Sequence, residues 1–141
     1  MTLRVSETLL GTIHREGERA YPGECCGVLA GQPGEIKQVR RLLPVVNRRA
    51  DDPHRYLIAP EDLQRVEAEV RQADLEVLGF YHSHPDHPAA PSSFDAEHAW
   101  PWYSYLIVRV DRGRAVEATS WQLAGDRSAM LPESLDVIHE V

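Results

Sequence analysis

The sequence predicts a mixed α/β fold, a mixed β-sheet flanked by helices. Three observations carry this expectation. Short apolar runs rich in β-branched and aromatic residues recur as CCGVLAG (25–31), LEVLGFYH (75–82) and YLIVRVD (105–111), and runs of about 4–8 such residues bounded by turn formers read as strands. Two other segments, about 7–18 and 60–73, repeat apolar residues at helical spacing. The length of 141 residues suits one domain, 1–141, built around one core.

Taken in order, Ser6 has the character of an N-cap, and Leu9, Leu10 and Ile13 form one apolar face behind it, so a first helix is expected over about 7–18. Tyr21-Pro22-Gly23 stops it. CCGVLAG follows as a buried strand, and Gln32-Pro33-Gly34 turns the chain into a second strand, about 36–46, making a hairpin. Residues 55–58 are expected as a short strand. Pro60 stands at the first position of a second helix, where Leu63, Val66 and Val70 share a face. Strands are then expected at 75–82, 105–111 and 114–123, the last two joined by an Arg112-Gly113 turn. Before residue 105, SSFDAEHAW offers a serine N-cap and an acidic first turn, so a short helix opens near Ser93. The last residues, about 135–141, are expected as an edge strand or a tail.

Composition narrows the function classes. With 43% hydrophobic and 26% charged residues, the chain has the make-up of a soluble globular protein. A formal charge of −7 argues against a nucleic-acid-binding surface. No stretch reaches the roughly 20 apolar residues that span a bilayer. MTLRVSETLL lacks the apolar centre of a secretory signal, so no membrane role and a cytoplasmic location are expected. Cys25 and Cys26 are neighbours, a geometry that strains any disulfide between them, and they read as small buried residues. Without a CxxC pair a zinc ribbon is excluded, and a reducing compartment fits.

The chemistry is concentrated in GFYHSHPDHPAAPSSFDAEH (79–98). A His-x-His pair alone arises by chance in roughly a third of chains with this length and histidine content. Geometry says more. At a strand end, residues i and i+2 share a face about 6.5–7 Å apart, so the imidazoles of His82 and His84 can converge on one ion at Zn–N distances of about 2.0–2.1 Å. Ser83 between them faces the other way. A third ligand must come from elsewhere, and Asp95, in the first turn of the next helix, is the candidate. Requiring Ser92 and Asp95 at their offsets lowers the chance rate to about one in a thousand. Two histidines and a carboxylate leave the fourth tetrahedral position open, as in catalytic zinc sites, where a water reaches a pKa near 7. The plain alternative is a polar surface loop. His14, His54, His87, His98 and His139 call for nothing beyond surface or capping roles.

The pattern His82-x-His84-x7-Ser92-x2-Asp95, with Glu24 upstream in PGECCGVLAG (22–31), resembles the JAMM (MPN-plus) metalloprotease family, and a compact prokaryotic-type member of it. That family's signature is a glutamate, then HxH, seven residues, a serine, two residues and an aspartate. The similarity runs from the first helix to about Val110. It implies a JAMM/MPN-like sheet with cytidine-deaminase-like layering, and a Zn²⁺ cofactor held by His82, His84 and Asp95. It also implies Glu24 as the general acid/base for water and leaving amine, and Ser92 as a hydrogen-bond donor to the oxyanion or the attacking water. Simpler readings stand beside these: Glu24 as a solvated charge, Ser92 as a turn or cap residue. The stiff loop 85–91 is one wall of a substrate groove or a plain connector.

Members of this family commonly remove what is attached to the C-terminal Gly-Gly of ubiquitin or a ubiquitin-like protein. The resemblance therefore implies a zinc metallopeptidase or isopeptidase, deubiquitinase-like in chemistry, that hydrolyses an amide bond. Short connections where larger relatives carry insertions point away from polyubiquitin and towards a small ubiquitin-like sulfur-carrier protein. Its extended tail, added as a strand beside the sheet, brings the scissile carbonyl to the site. Two readings compete. A non-catalytic MPN-type protein-interaction scaffold generally lacks one or more of the five residues, and here all five are present. A zinc deaminase needs P-C-x-x-C, which this chain does not have. The aromatic stretch WPWYSY (100–105) is expected to pack in the core, with a partner surface such as a homodimer contact as the alternative.

Overall fold

The computed structural model describes residues 1–49 and 56–139. Among them the elements follow as β1 (Thr2–Ser6), α1 (Glu7–Ala20), β2 (Cys26–Gln32), β3 (Ile36–Val45), α2 (Pro60–Gln72), β4 (Glu76–Pro85), α3 (Ser93–His98), β5 (Ser104–Asp111), β6 (Arg114–Leu123) and β7 (Met130–Ile138). The strands join in the order β1-β3-β2-β4-β5-β6-β7, and β7 pairs back onto β1, so the mixed sheet closes into a barrel.

β2 and β4 organise the half that matters for function. β2 is apolar from Cys26 to Gly31 because it is covered on both faces there, which removes the usual alternation. Leu29 packs with Leu78, Tyr81 and Leu106 against Leu10 and Ile13 of α1. Val28 and Ala30 face the other way and pack with Leu43, Val66 and Val70, the last two from α2. Ser6 starts α1 by accepting a hydrogen bond from Leu9 N at 3.1 Å, and Pro60 starts α2, where its missing N–H costs nothing.

β4 pairs antiparallel with β2 and parallel with β5, setting Cys26 beside His82 and His84 beside Arg109. At Gly79 the neighbouring strand is so close that a Cβ would sit 1.9 Å from Ser104 O. Only glycine fits there. Gly79→Ala is expected to cost about 3 kcal/mol through overpacking, read in a thermal melt as a midpoint lower by roughly 10 °C. An unchanged midpoint would mean that the strand spacing yields freely.

Several expectations need correction. Residues 2–6 form a strand, β1, and residues 130–138 form β7, which is neither an edge strand nor a tail because it pairs with both β1 and β6. β4 runs three residues past His82, so both histidines lie within the strand. The short strand expected at 55–58 is not found: residue 55 lies outside the described residues, as does His54, and residues 56–58 have no regular structure. WPWYSY divides. Tyr105 is buried, whereas Trp100 and Trp102 are 64% and 42% exposed. No helix among the described residues is long and apolar enough to cross a membrane.

Candidate metal centre

The centre is assembled from β4 and the start of α3. His82 and His84 project from the same face of β4, and each is 1% exposed. Ser92 caps α3 through a reciprocal pair: its Oγ accepts from Asp95 N at 3.0 Å, and its own N–H donates to Asp95 Oδ2 at 2.9 Å. This capping box fixes the Asp95 rotamer. The same Oδ2 then lies 3.2 Å from His82 Nε2 and 3.1 Å from His84 Nε2, and the two Nε2 atoms are 3.0 Å apart. An ion with tetrahedral bonds of about 2.0–2.1 Å keeps its ligand atoms about 3.3 Å apart. The donor set fits such an ion.

Protonation favours the same use. Pro88 O lies 2.8 Å from His84 Nδ1, and a carbonyl can only accept, so Nδ1 carries the proton and Nε2 keeps its lone pair for the centre. Burial pushes the His82 imidazole below its usual pKa, and the nearby Asp95 only partly opposes this. Burial pushes the Asp95 carboxyl up, but the two imidazoles and the Ser92 N–H outweigh it and hold the group well below the usual carboxylate range. Metal binding requires the imidazoles neutral and the carboxylate ionised.

Glu24 is 4% exposed, so it is not a solvated surface charge. It lies just ahead of β2, and the chain there is stitched to β4. Cys25 N donates to Ser83 Oγ at 2.9 Å, and Ser83 N donates to Cys25 O at 3.2 Å. Asn47 Nδ2 donates to Glu24 O at 3.1 Å. One Glu24 carboxylate oxygen and one ring nitrogen from each of His84 and His87 consequently lie within 4.8 Å of one another. Ser83 faces away from the centre, as the strand alternation requires. Ser92 Oγ is engaged as a cap acceptor, which leaves its O–H as a donor.

His87 was missed in the sequence. Its ring stacks on His84 with centroids 4.1 Å apart, and its Nδ1–H donates to Pro85 O at 2.9 Å. Nothing in the spacing of the loop signals this contact. The loop 85–91 supports the imidazoles of His87 and His84 through the Pro85 and Pro88 carbonyls, and none of its residues lines the large cavity beside the centre. That cavity measures about 630 Å³ and is walled by Tyr56, Leu63, Phe80, Phe94, Asp95 and Trp100, among others. A smaller hollow of about 350 Å³ has Glu24 in its wall, with Glu16, Arg19 and Asn47. Cys25 and Cys26 border the smaller hollow as free thiols. Burial pushes them up to about 11 and about 12, so neither offers a thiolate nucleophile near neutral pH.

Comparison with known proteins agrees with what the geometry suggests. The family model for prokaryotic homologs of the JAB domain matches residues 6–124. A desampylase of Haloferax volcanii is 40% identical over 99 residues, covering 69% of this chain and 70% of that protein. A probable TtuB-protein conjugate cleaving protease of Thermus thermophilus is 29% identical over 137 residues, covering 97% and 81%. A solution structure of a protein from Desulfitobacterium hafniense matches with a TM-score of 0.85 at 26% identity, covering 100% of this chain and 95% of that one. The family model and the relatives together place the chain among the JAMM-type metalloproteases, a class of hydrolases. Within that class, the chain belongs to the family of prokaryotic homologs of the JAB domain.

Proposed function

We propose that this chain is a zinc-dependent isopeptidase or peptidase, acting in the cytoplasm on the amide that follows the C-terminal Gly-Gly of a ubiquitin-like sulfur-carrier protein. The observation that carries the reading is the closure of His82, His84 and Asp95 to 3.0–3.2 Å with Glu24 buried beside them. His82 Nε2, His84 Nε2 and Asp95 Oδ2 would hold the ion. Zinc bound there supplies Lewis acidity and a water acidified to a pKa of about 7.

The remaining work belongs to the protein. Glu24 takes the proton of the attacking water on a carboxylate oxygen and returns it to the nitrogen of the leaving amine. The Ser92 O–H donates to the oxyanion as charge develops. Asp95 is favoured in its charged form by the Ser92 N–H, which donates to Oδ2. The large apolar cavity on the Asp95 side takes the extended carrier tail, and the smaller hollow on the Glu24 side takes the leaving amine, next to the group that protonates it. Two relatives support the substrate class, one called a desampylase and the other a conjugate-cleaving protease. A scaffold without catalysis has no use for a carboxylate buried against paired imidazoles.

The test is mass spectrometry of carrier proteins with C-terminal extensions, incubated with zinc-loaded enzyme with and without 1,10-phenanthroline. Loss of the extension after Gly-Gly, blocked by the chelator, is the expected result. Cleavage that persists in chelator would overturn the metal-dependent reading.

A further inference from the structure

The two histidines of the centre are oriented by different means. His84 is held by its Nδ1–H bond to Pro88 O, the outer partner that metal-binding histidines nearly always have. His82 Nδ1 is buried and meets no hydrogen-bond partner among the described residues. What His82 has instead is Tyr56, whose ring stacks on the imidazole with centroids 4.3 Å apart and planes 23° apart.

Tyr56 is not part of a helix or strand, but the residue that follows it is firmly tied down. Arg48 N donates to Leu57 O at 2.9 Å, and Leu57 N donates to Asn47 Oδ1 at 3.0 Å. Arg49 N donates to the same Oδ1 at 2.8 Å. The Arg48 guanidinium grips Asp62 on α2 with two bonds, 2.9 and 3.1 Å, and the Asp62 side chain is only 3% exposed. A bidentate pair fixes orientation as well as distance. The stretch 47–49 that follows β3, the residue after Tyr56 and the first turn of α2 thus form one clamp.

We propose that Tyr56 is a positioning residue for the metal ligand His82. Its clamped ring does for His82 what the Pro88 carbonyl does for His84. The face of the phenol restricts rotation of the imidazole about its Cβ–Cγ bond, so Nε2 stays aimed at Asp95 and His84. This inference rests on the metal-binding reading above.

The experiment compares full-length wild type with Tyr56→Phe, Tyr56→Leu and Tyr56→Ala. Each is loaded with Co²⁺ for its visible absorption spectrum, and separately with Zn²⁺ for release into a chromophoric chelator. Tyr56→Phe keeps the ring and is expected to match wild type. Tyr56→Leu and Tyr56→Ala are expected to release zinc about 10–100-fold faster, the usual effect of losing an outer partner, and to shift the Co²⁺ bands. If Tyr56→Ala fails to fold, Tyr56→Leu keeps apolar bulk over His82 and still reads the loss of the ring. Wild-type release and spectrum in Tyr56→Leu would overturn the proposal. A Tyr56→Phe protein as leaky as Tyr56→Leu would overturn it too, by moving the role to the hydroxyl. Wild type that takes up neither ion would instead overturn the metal-binding reading itself.

Discussion

His84→Ala is expected to leave a folded protein that neither retains zinc nor cleaves a carrier conjugate. The imidazole offers Nε2 to the centre with its tautomer already fixed by Pro88 O at 2.8 Å. Without it only two donors remain, one nitrogen and one oxygen, below the three protein ligands that catalytic zinc sites keep. Turnover is expected to fall by on the order of 10³-fold or more, because a water left without the ion returns towards its bulk pKa. Metal content falls with it, from about one ion per chain to almost none. The variant also loses the stack with His87, so a melt of the metal-free protein belongs beside the assay. Full zinc stoichiometry in His84→Ala would remove this residue from the ligand set.

The second large effect separates binding from chemistry. Glu24→Gln keeps the shape of the buried side chain and removes its ability to take a proton. Zinc content is expected to stay at the wild-type level, because His82, His84 and Asp95 are untouched. Turnover is expected to drop by on the order of 10² or more, the usual cost of losing a general base, with KM nearly unchanged on the proposed seating of the substrate tail in the large cavity. The split between kcat and KM is the diagnostic. Wild-type turnover in Glu24→Gln would take the carboxylate out of the mechanism.

What could be read from the sequence was what short-range patterning encodes. Ser6 and Pro60 mark the starts of α1 and α2, as the spacing of Leu9, Leu10, Ile13 and of Leu63, Val66, Val70 requires. The strand alternation that sets His82 and His84 on one face holds, and Asp95 in the first turn of α3 meets them there. The barrel closure was not legible. β1 pairs with residues 36–38 and 134–138, far along the chain, and five residues followed at once by a helix carry too short a pattern to show it. The pattern of residues 75–82 ends at His82, whereas β4 continues to Pro85, since a proline is tolerated at the end of a strand.

Side-chain contacts across the fold escaped in the same way. His87 on His84 and Tyr56 on His82 have no periodic signature, and the clamp that holds Tyr56 runs through Asn47, Arg48 and Asp62 rather than through a strand ladder. Glu24 came from the resemblance alone. Its burial follows from the bonds between Cys25 and Ser83, which join stretches 58 residues apart.

The most direct measurement is anomalous diffraction from crystals grown with zinc, with data collected on both sides of the zinc absorption edge. A single strong peak is expected between His82 Nε2, His84 Nε2 and Asp95 Oδ2, at bond lengths of about 2.0–2.1 Å. Side chains turned away from one another in zinc-replete crystals, with no anomalous signal among them, would refute the hydrolase as described.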